Sequence, residues 1–259
     1  MDFLNGLLES VGRLWGQILL VIAVAAIGAF IQRVSGFGFG IFVMIFLPYI
    51  LPDYGPATVL SSAMGLVMSA QVAITKRRDI RWRLVLPCLA TAMLTTVMAV
   101  VFMKGQSSAL LKGLLGGMLI LLSVYFIFFS KKIKIKGNVP TGLGVGLLSG
   151  VMGGLFAMSG PPIVVYLINV AATSAEYLAT IQAYFVALGV FTIGAKVIAG
   201  FLTSEVVLLW AFGAIGVCLG TYVGGKVFDR LDAEKVKRIA YGVMAVSGVV
   251  TLLSAVGVV

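Results

Sequence analysis

The chain has 259 residues, 61% of them hydrophobic and only 11% charged, a balance far from that of a soluble domain. It contains no histidine, and its two cysteines, Cys88 and Cys218, lie inside apolar runs. No His/Cys metal site can be built from them, and a disulfide framework is not expected. The formal net charge of +10 is gathered in loop clusters between apolar runs, which points to membrane orientation rather than to nucleic acid as a partner.

Apolar runs of ~18 residues or more recur along the whole chain, so it reads as one membrane domain rather than an anchored soluble enzyme. Residues 1–13, with Asp2, Glu9 and Arg13 among apolar positions, are expected to form a short interfacial helix or a frayed end. A cleaved signal is disfavoured, because the apolar stretch runs straight into a glycine-rich break. Helices are then expected at about Gln17–Val34, Gly38–Leu51, Pro56–Thr75, Trp82–Met103 and Ala109–Phe129. A second set follows at Pro140–Ala157, Pro161–Val170, Ser174–Lys196, Ser204–Phe228 and Glu234–Leu253.

Two breaks interrupt these runs, Ser35-Gly36-Phe37-Gly38-Phe39-Gly40 and Ser149-Gly150-Val151-Met152-Gly153-Gly154. In lipid an interrupted helix survives only where protein or a water-filled cavity satisfies the freed backbone, so paired breaks point to a transporter's binding site. The halves also echo one another elsewhere. Ser35-Gly36 lies 114 residues before Ser149-Gly150, Leu60-Ser61-Ser62 lies 118 before Leu178-Ala179-Thr180, and Val101-Phe102 lies 126 before Val227-Phe228.

Three basic clusters orient the chain: Lys76, Arg77, Arg78, Arg81 and Arg83; then Lys131, Lys132, Lys134 and Lys136; then Lys226, Arg230, Lys235, Lys237 and Arg238. With all three in the cytoplasm, each broken stretch must enter the membrane and return to the face it left. The two halves then run in opposite senses, with both termini outside. The expected fold is therefore an all-α polytopic membrane protein, an inverted-topology repeat of residues 1–136 and 137–259. Each half is a broken, re-entrant helical hairpin followed by three transmembrane helices. The second hairpin arms, ~14 and ~10 residues against the ~20 of a full span, favour six spans plus two hairpins, with ten crossings as the alternative.

Helix starts at the breaks expose unpaired N–H groups and partial positive charge, so an anion is the natural guest. Ser35 and Ser159 are candidate caps for the two short arms, the latter followed by Gly160-Pro161-Pro162. Gly36, Gly38, Gly40, Gly150, Gly153, Gly154 and Gly160 are candidates for close backbone approach to a ligand, with Ser149 beside them, although glycine also serves helix packing. Arg33, ~24 Å along its helix from Gln17, either lines the cavity or snorkels to the inner surface. Ser62, Thr180 and Gln182 are the candidate ligand contacts on spanning helices, whereas Lys196 is read as snorkelling outward.

The Val34–Gly40 break with Pro48, the Leu148–Gly154 counterpart with Pro161-Pro162, and the length of the chain resemble the TauE/SafE (TSUP) family over essentially the whole sequence. The resemblance implies a carrier of sulfite, sulfoacetate and related organosulfonates. Where the family often shows a Gly-Gly-Gly run, Phe37 and Phe39 alternate with glycine here, which favours a short carbon chain on the substrate over bare sulfite. The expected function is secondary export of a small sulfonate or sulfite anion by alternating access, with the anion held midway between opposed hairpin tips. An anion channel and a non-transporting membrane subunit are the alternatives. All nine acids lie in or beside loops or helix ends, and no nucleotide-binding Gly-Lys motif is present. No catalytic residue, metal or cofactor is therefore expected. The expected setting is a bacterial-type inner membrane, with the lipid bilayer, the anion and a second copy in a homodimer as partners.

Overall fold

The computed structural model describes residues 2–128, 135–227 and 233–255. The described residues form α1 (Asp2–Ser35), α2 (Phe39–Ile50), α3 (Tyr54–Thr75), α4 (Trp82–Lys104), α5 (Ser108–Phe128), α6 (Val139–Phe156), α7 (Gly160–Val170), α8 (Ser174–Ile198), α9 (Ser204–Val227) and α10 (Ala233–Ala255), with no strand among them. Helix is the solution an apolar chain finds in lipid, because it satisfies every backbone group within one segment. Local chemistry starts two of them. Asn138 Oδ1 accepts the Thr141 N–H at 3.0 Å to open α6, and Thr173 Oγ1 accepts the Glu176 N–H at 3.1 Å to open α8.

Seven helices are long and apolar enough to cross a membrane: α1 over Leu14–Ser35, then α3, α4, α5, α6, α8 and α9. The chain is thus an all-α multi-pass membrane protein. The short helices α2 and α7 have 12 and 11 residues. One expectation needs correcting. Residues 2–13 do not form a separate interfacial helix but continue into α1, since no proline or charged turn separates them from Gln17.

The connections show how each broken unit returns. The Ile135 N–H donates to Asn169 Oδ1 at 3.3 Å, and Gly137 faces Val170, so the start of α6 lies beside the end of α7. At the opposite end of the bundle, Leu14 and Gln17 share a depression with Tyr49, Ile50 and Leu51. The apolar start of α1 therefore lies beside the end of α2. The α3–α4 turn reaches the start of α8 through an Arg81–Glu176 ion pair at 3.2 Å and an Arg81 N–H bond to Thr180 Oγ1 at 3.0 Å. Of the basic clusters, Lys131, Lys132, Lys134 and Arg230 lie outside the described residues, as do Phe228 and both terminal residues.

Helix partners follow a pattern. The most extensive pairings are α1 with α9, α4 with α6, α5 with α10 and α3 with α8. Exchanging α1–α5 with α6–α10 maps this set onto itself. Glycine permits the closest of these approaches. Gly146, Gly150 and Gly154 of α6 lie on the backbone of Cys88, Ala92 and Thr96 in α4, while Gly216 and Gly220 of α9 lie on the Ile22 and Ala26 carbonyls of α1.

Candidate functional site

The α1–α2 connection, the α6–α7 connection, α3 and α8 line a partly open cavity of about 90 Å3. Its polar wall comes from Gln32, Ser61, Ser62, Ser69, Ser159 and Thr192; its apolar wall includes Phe37, Phe39, Leu188 and Phe185. The lining contains no acidic residue.

The first connection turns on glycine. Gly36 and Gly38 have φ of +85° and +110°, values that a side chain would strain. The turn delivers Gly38, Gly40 and Ile41 to the cavity wall. Helix geometry leaves the first amides of α2 without partners inside the helix. The Phe39 N–H is taken by Gln32 Oε1 at 3.0 Å, and Gly40 and Ile41, next in the same first turn, line the cavity. Gln32, not Ser35, therefore caps α2. Ser35 is the last residue of α1, and its Oγ lies 2.7 Å from the Ile31 carbonyl and 2.6 Å from that of Phe37, so its proton is held within the turn.

The second connection is built differently. Ser149–Gly154 is helical throughout; the interruption comes at Ala157–Ser159, after Phe156. This corrects the position of the second break. Glycine in this stretch packs α6 onto α4 rather than turning the chain, and the turn is made by Ala157 at φ 55°. Ser149 fastens it, donating to the Ser159 carbonyl at 2.6 Å while accepting from Tyr184 OH at 2.7 Å. Ser159 occupies the cap position of α7 without a side-chain cap bond. Because Pro161 and Pro162 have no N–H, the first turn of α7 offers one backbone donor, Gly160, in front of Ile163.

The two connections touch where Gly40 lies against the Ala157 carbonyl, with no room for a Cβ. Of the residues expected at the site, Gly38, Gly40, Ser62, Gly153, Ser159 and Gly160 line the one cavity. The others lie elsewhere. Arg33 is exposed on the α1–α9 face beside Gly224 and Gly225. Gly36 faces Tyr177, and Gly150 is packed on α4. Thr180 accepts the Arg81 N–H near the α3–α4 turn. Gln182 is buried outside the cavity lining, and its Oε1 has no partner among the described residues.

Lys196 requires the largest correction. It does not snorkel but is 0% exposed, with Nζ 3.3 Å from Ser62 Oγ, 3.4 Å from the Thr58 carbonyl and 3.5 Å from the Gly153 carbonyl. Side chains on a helix lean toward its N-terminus, and near the C-terminal end of α8 that direction leads back into the protein. The sequence carries a signal for this. Lys196 follows Thr192, Leu188 and Phe185 at spacings of four, eight and eleven, on the helix face that lines the cavity. Ser61, a polar group of a spanning helix ranked below Ser62 from the sequence, also stands at the cavity. Its Oγ is buried, lines the cavity and has no hydrogen-bond partner among the described residues.

Comparison with known proteins adds an independent finding. A family model described as sulfite exporter TauE/SafE matches residues 20–251. Over 240 residues the chain is 21% identical to the "Probable sulfite/organosulfonate exporter TauE" of Cupriavidus necator, an alignment covering 90% of this chain and 93% of that protein. No solved structure matches.

Proposed function

The chain belongs to the TauE/SafE family of sulfite exporters, and from that premise we propose that it exports small sulfur oxyanions, sulfite or C2 sulfonates such as sulfoacetate, by alternating access. The observation that carries this reading is that α2 and α7 both begin at one cavity whose lining holds no acid. Each helix start contributes partial positive charge. One α2 amide is held by Gln32, which leaves those of Gly40 and Ile41 for a ligand.

Helix lengths support a site midway through the membrane. With 12 and 11 residues, α2 and α7 rise ~18 and ~16 Å. Coming from opposite ends of the bundle, they together match the ~30 Å hydrocarbon core. The exchange symmetry of the helix partners supports residues 1–136 and 137–259 as two inverted repeats, which rock about the cavity to expose it to either side. The loop charges favour a cytoplasmic α3–α4 turn. An inside-negative potential then drives a monovalent anion outward by ~2.3 kcal/mol per 100 mV.

The test is flux from proteoliposomes loaded with radiolabelled sulfite or sulfoacetate. Saturable efflux that accelerates when the same anion is present outside is the expected result. Flux that rises linearly with concentration and shows no counterflow would identify a channel. Indifference to every sulfur anion in flux and in thermal stabilisation would remove the sulfur oxyanion from the reading.

A further inference from the structure

We propose that Lys196 is the counter-charge of the transported anion, with its ammonium resting on neutral oxygens behind the cavity wall in this structure and shifting onto the substrate when it binds. The inference rests on the anion-transport reading above and assigns that site its cation, its unfilled donor and its preferred head group.

Lys196 is fully buried and has no carboxylate beside it among the described side chains. Among the described residues the one ion pair is Arg81–Glu176, and the acids with described side chains (Asp53, Asp79, Glu176 and Glu205) all stand at helix ends. Its three acceptors are the Thr58 carbonyl, the Ser62 hydroxyl and the Gly153 carbonyl, at 3.3 to 3.5 Å. N–H···O bonds to neutral oxygens cluster at ~2.9–3.0 Å, so each of these three contacts is long, and none carries a compensating negative charge. A buried charge held this loosely is costly unless something charged completes it.

The completing group has a place to sit. Ser62 and Gly153 both line the cavity, so the ammonium is one hydrogen bond from its interior, on a four-carbon stem able to swing. An independent observation marks the same wall. Ser61 Oγ, on a residue 2% exposed, has no partner among the described residues, and a buried hydroxyl ordinarily finds one. Together Lys196, Ser61 and the α2 amides of Gly40 and Ile41 present donors from α8, α3 and α2. A pyramidal or tetrahedral head with three oxygens answers all of them at once; a planar carboxylate has two oxygens and leaves one direction unmet.

The experiment compares the intact detergent-solubilised protein with Lys196→Met, titrating sulfite, sulfoacetate, ethanesulfonate and propionate calorimetrically and recording Tm without anion. Met has similar length and no charge. The expected result is a Tm equal to or above that of the parent, with sulfonate affinity reduced on the order of 10- to 100-fold, as for loss of a charged hydrogen bond. The parent protein is expected to favour ethanesulfonate over propionate. Lys196→Gln repeats the test with an amide that keeps contacts to Ser62 and the Gly153 carbonyl. If folded variants bind sulfonates as the parent does, the Lys196 assignment is overturned while the transport reading stands. If the parent instead binds only other anions and loses them in the variants, Lys196 remains the counter-charge and the sulfur reading falls. A parent that binds no anion overturns both.

Discussion

Replacing Ser61 by alanine should move stability and binding in opposite directions. Ser61 Oγ is a buried hydroxyl without a partner among the described residues, a state that costs ~1–3 kcal/mol. Its removal should therefore raise Tm, at ~2–4 °C per kcal/mol for a chain of about this size. If the same hydroxyl donates to a bound anion, its loss costs the complex ~1.5–3 kcal/mol, or roughly 10- to 150-fold in Kd. The neighbouring Ser62→Ala is the control with the opposite sign. Ser62 Oγ donates to the Thr58 carbonyl at 2.8 Å and accepts from Lys196, so its loss should lower Tm by the equivalent of ~1 kcal/mol or more. Thermal unfolding and calorimetric titration with sulfite and sulfoacetate read both quantities from the same preparations. A lower Tm for Ser61→Ala, or an unchanged anion affinity, would refute the assignment of that hydroxyl to the ligand.

Gly40→Ala drives a Cβ into the Ala157 carbonyl, a backbone atom that cannot swing aside. It should cost ~1–3 kcal/mol and slow counterflow, read as a lower Tm together with reduced flux. Gln32→Leu strips the acceptor from the Phe39 N–H and should destabilise by a similar ~1–3 kcal/mol, whereas Gln32→Glu keeps that bond but sets a carboxylate at the cavity, so titration should show a selective loss of anion affinity. Arg33→Ala should leave anion affinity unchanged, because Arg33 is exposed beside α9 rather than at the cavity. A tenfold weakening in the same titration would return Arg33 to the site.

Helix boundaries were legible because their signals are local. Trp82, Ser174 and Ser204 begin α4, α8 and α9 as expected, after the charged turn at residues 76–81, the Thr173 cap and the turn at Gly200 respectively. Charge parity leads to the expectation of returning hairpins; the Ile135–Asn169 contact sets the start of α6 beside the end of α7, and the opposite sense of the two halves belongs to the proposal. The registration of the halves was not legible. Matching Ser35-Gly36 to Ser149-Gly150 pairs a helix end with a helix interior, whereas the ends of α1 and α6, at Ser35 and Phe156, stand 121 residues apart. Thr180 and Gln182, chosen from the match at 118 residues, lie five and three residues before the cavity face of α8 begins at Phe185. Glycines at spacing four in α6 carried a packing signal that motif matching overrode, and nothing in an alanine announces the left-handed turn at Ala157. Lys196 was legible only by helical phase, because proximity to a helix end suggested the opposite direction.

The two connections are held by different chemistry. The first, at Gly36–Gly40, carries the starting amides of α2. The second engages its carbonyls within the protein: that of Ala157 lies on Gly40, that of Ser159 accepts from Ser149, and that of Gly153 accepts from Lys196. Its two prolines remove the donors that would have balanced the pair. Lys196 thus ties α3, through Thr58 and Ser62, to the end of α6, through Gly153. A ligand that draws the ammonium into the cavity loosens that tie at the same moment as it fills the site. Under the proposed division of the chain, the Thr58 and Ser62 contacts join one half to the other. Charge neutralisation by the substrate and freedom of the halves to move then become one event, which is what a carrier needs if its loaded form is to reorient.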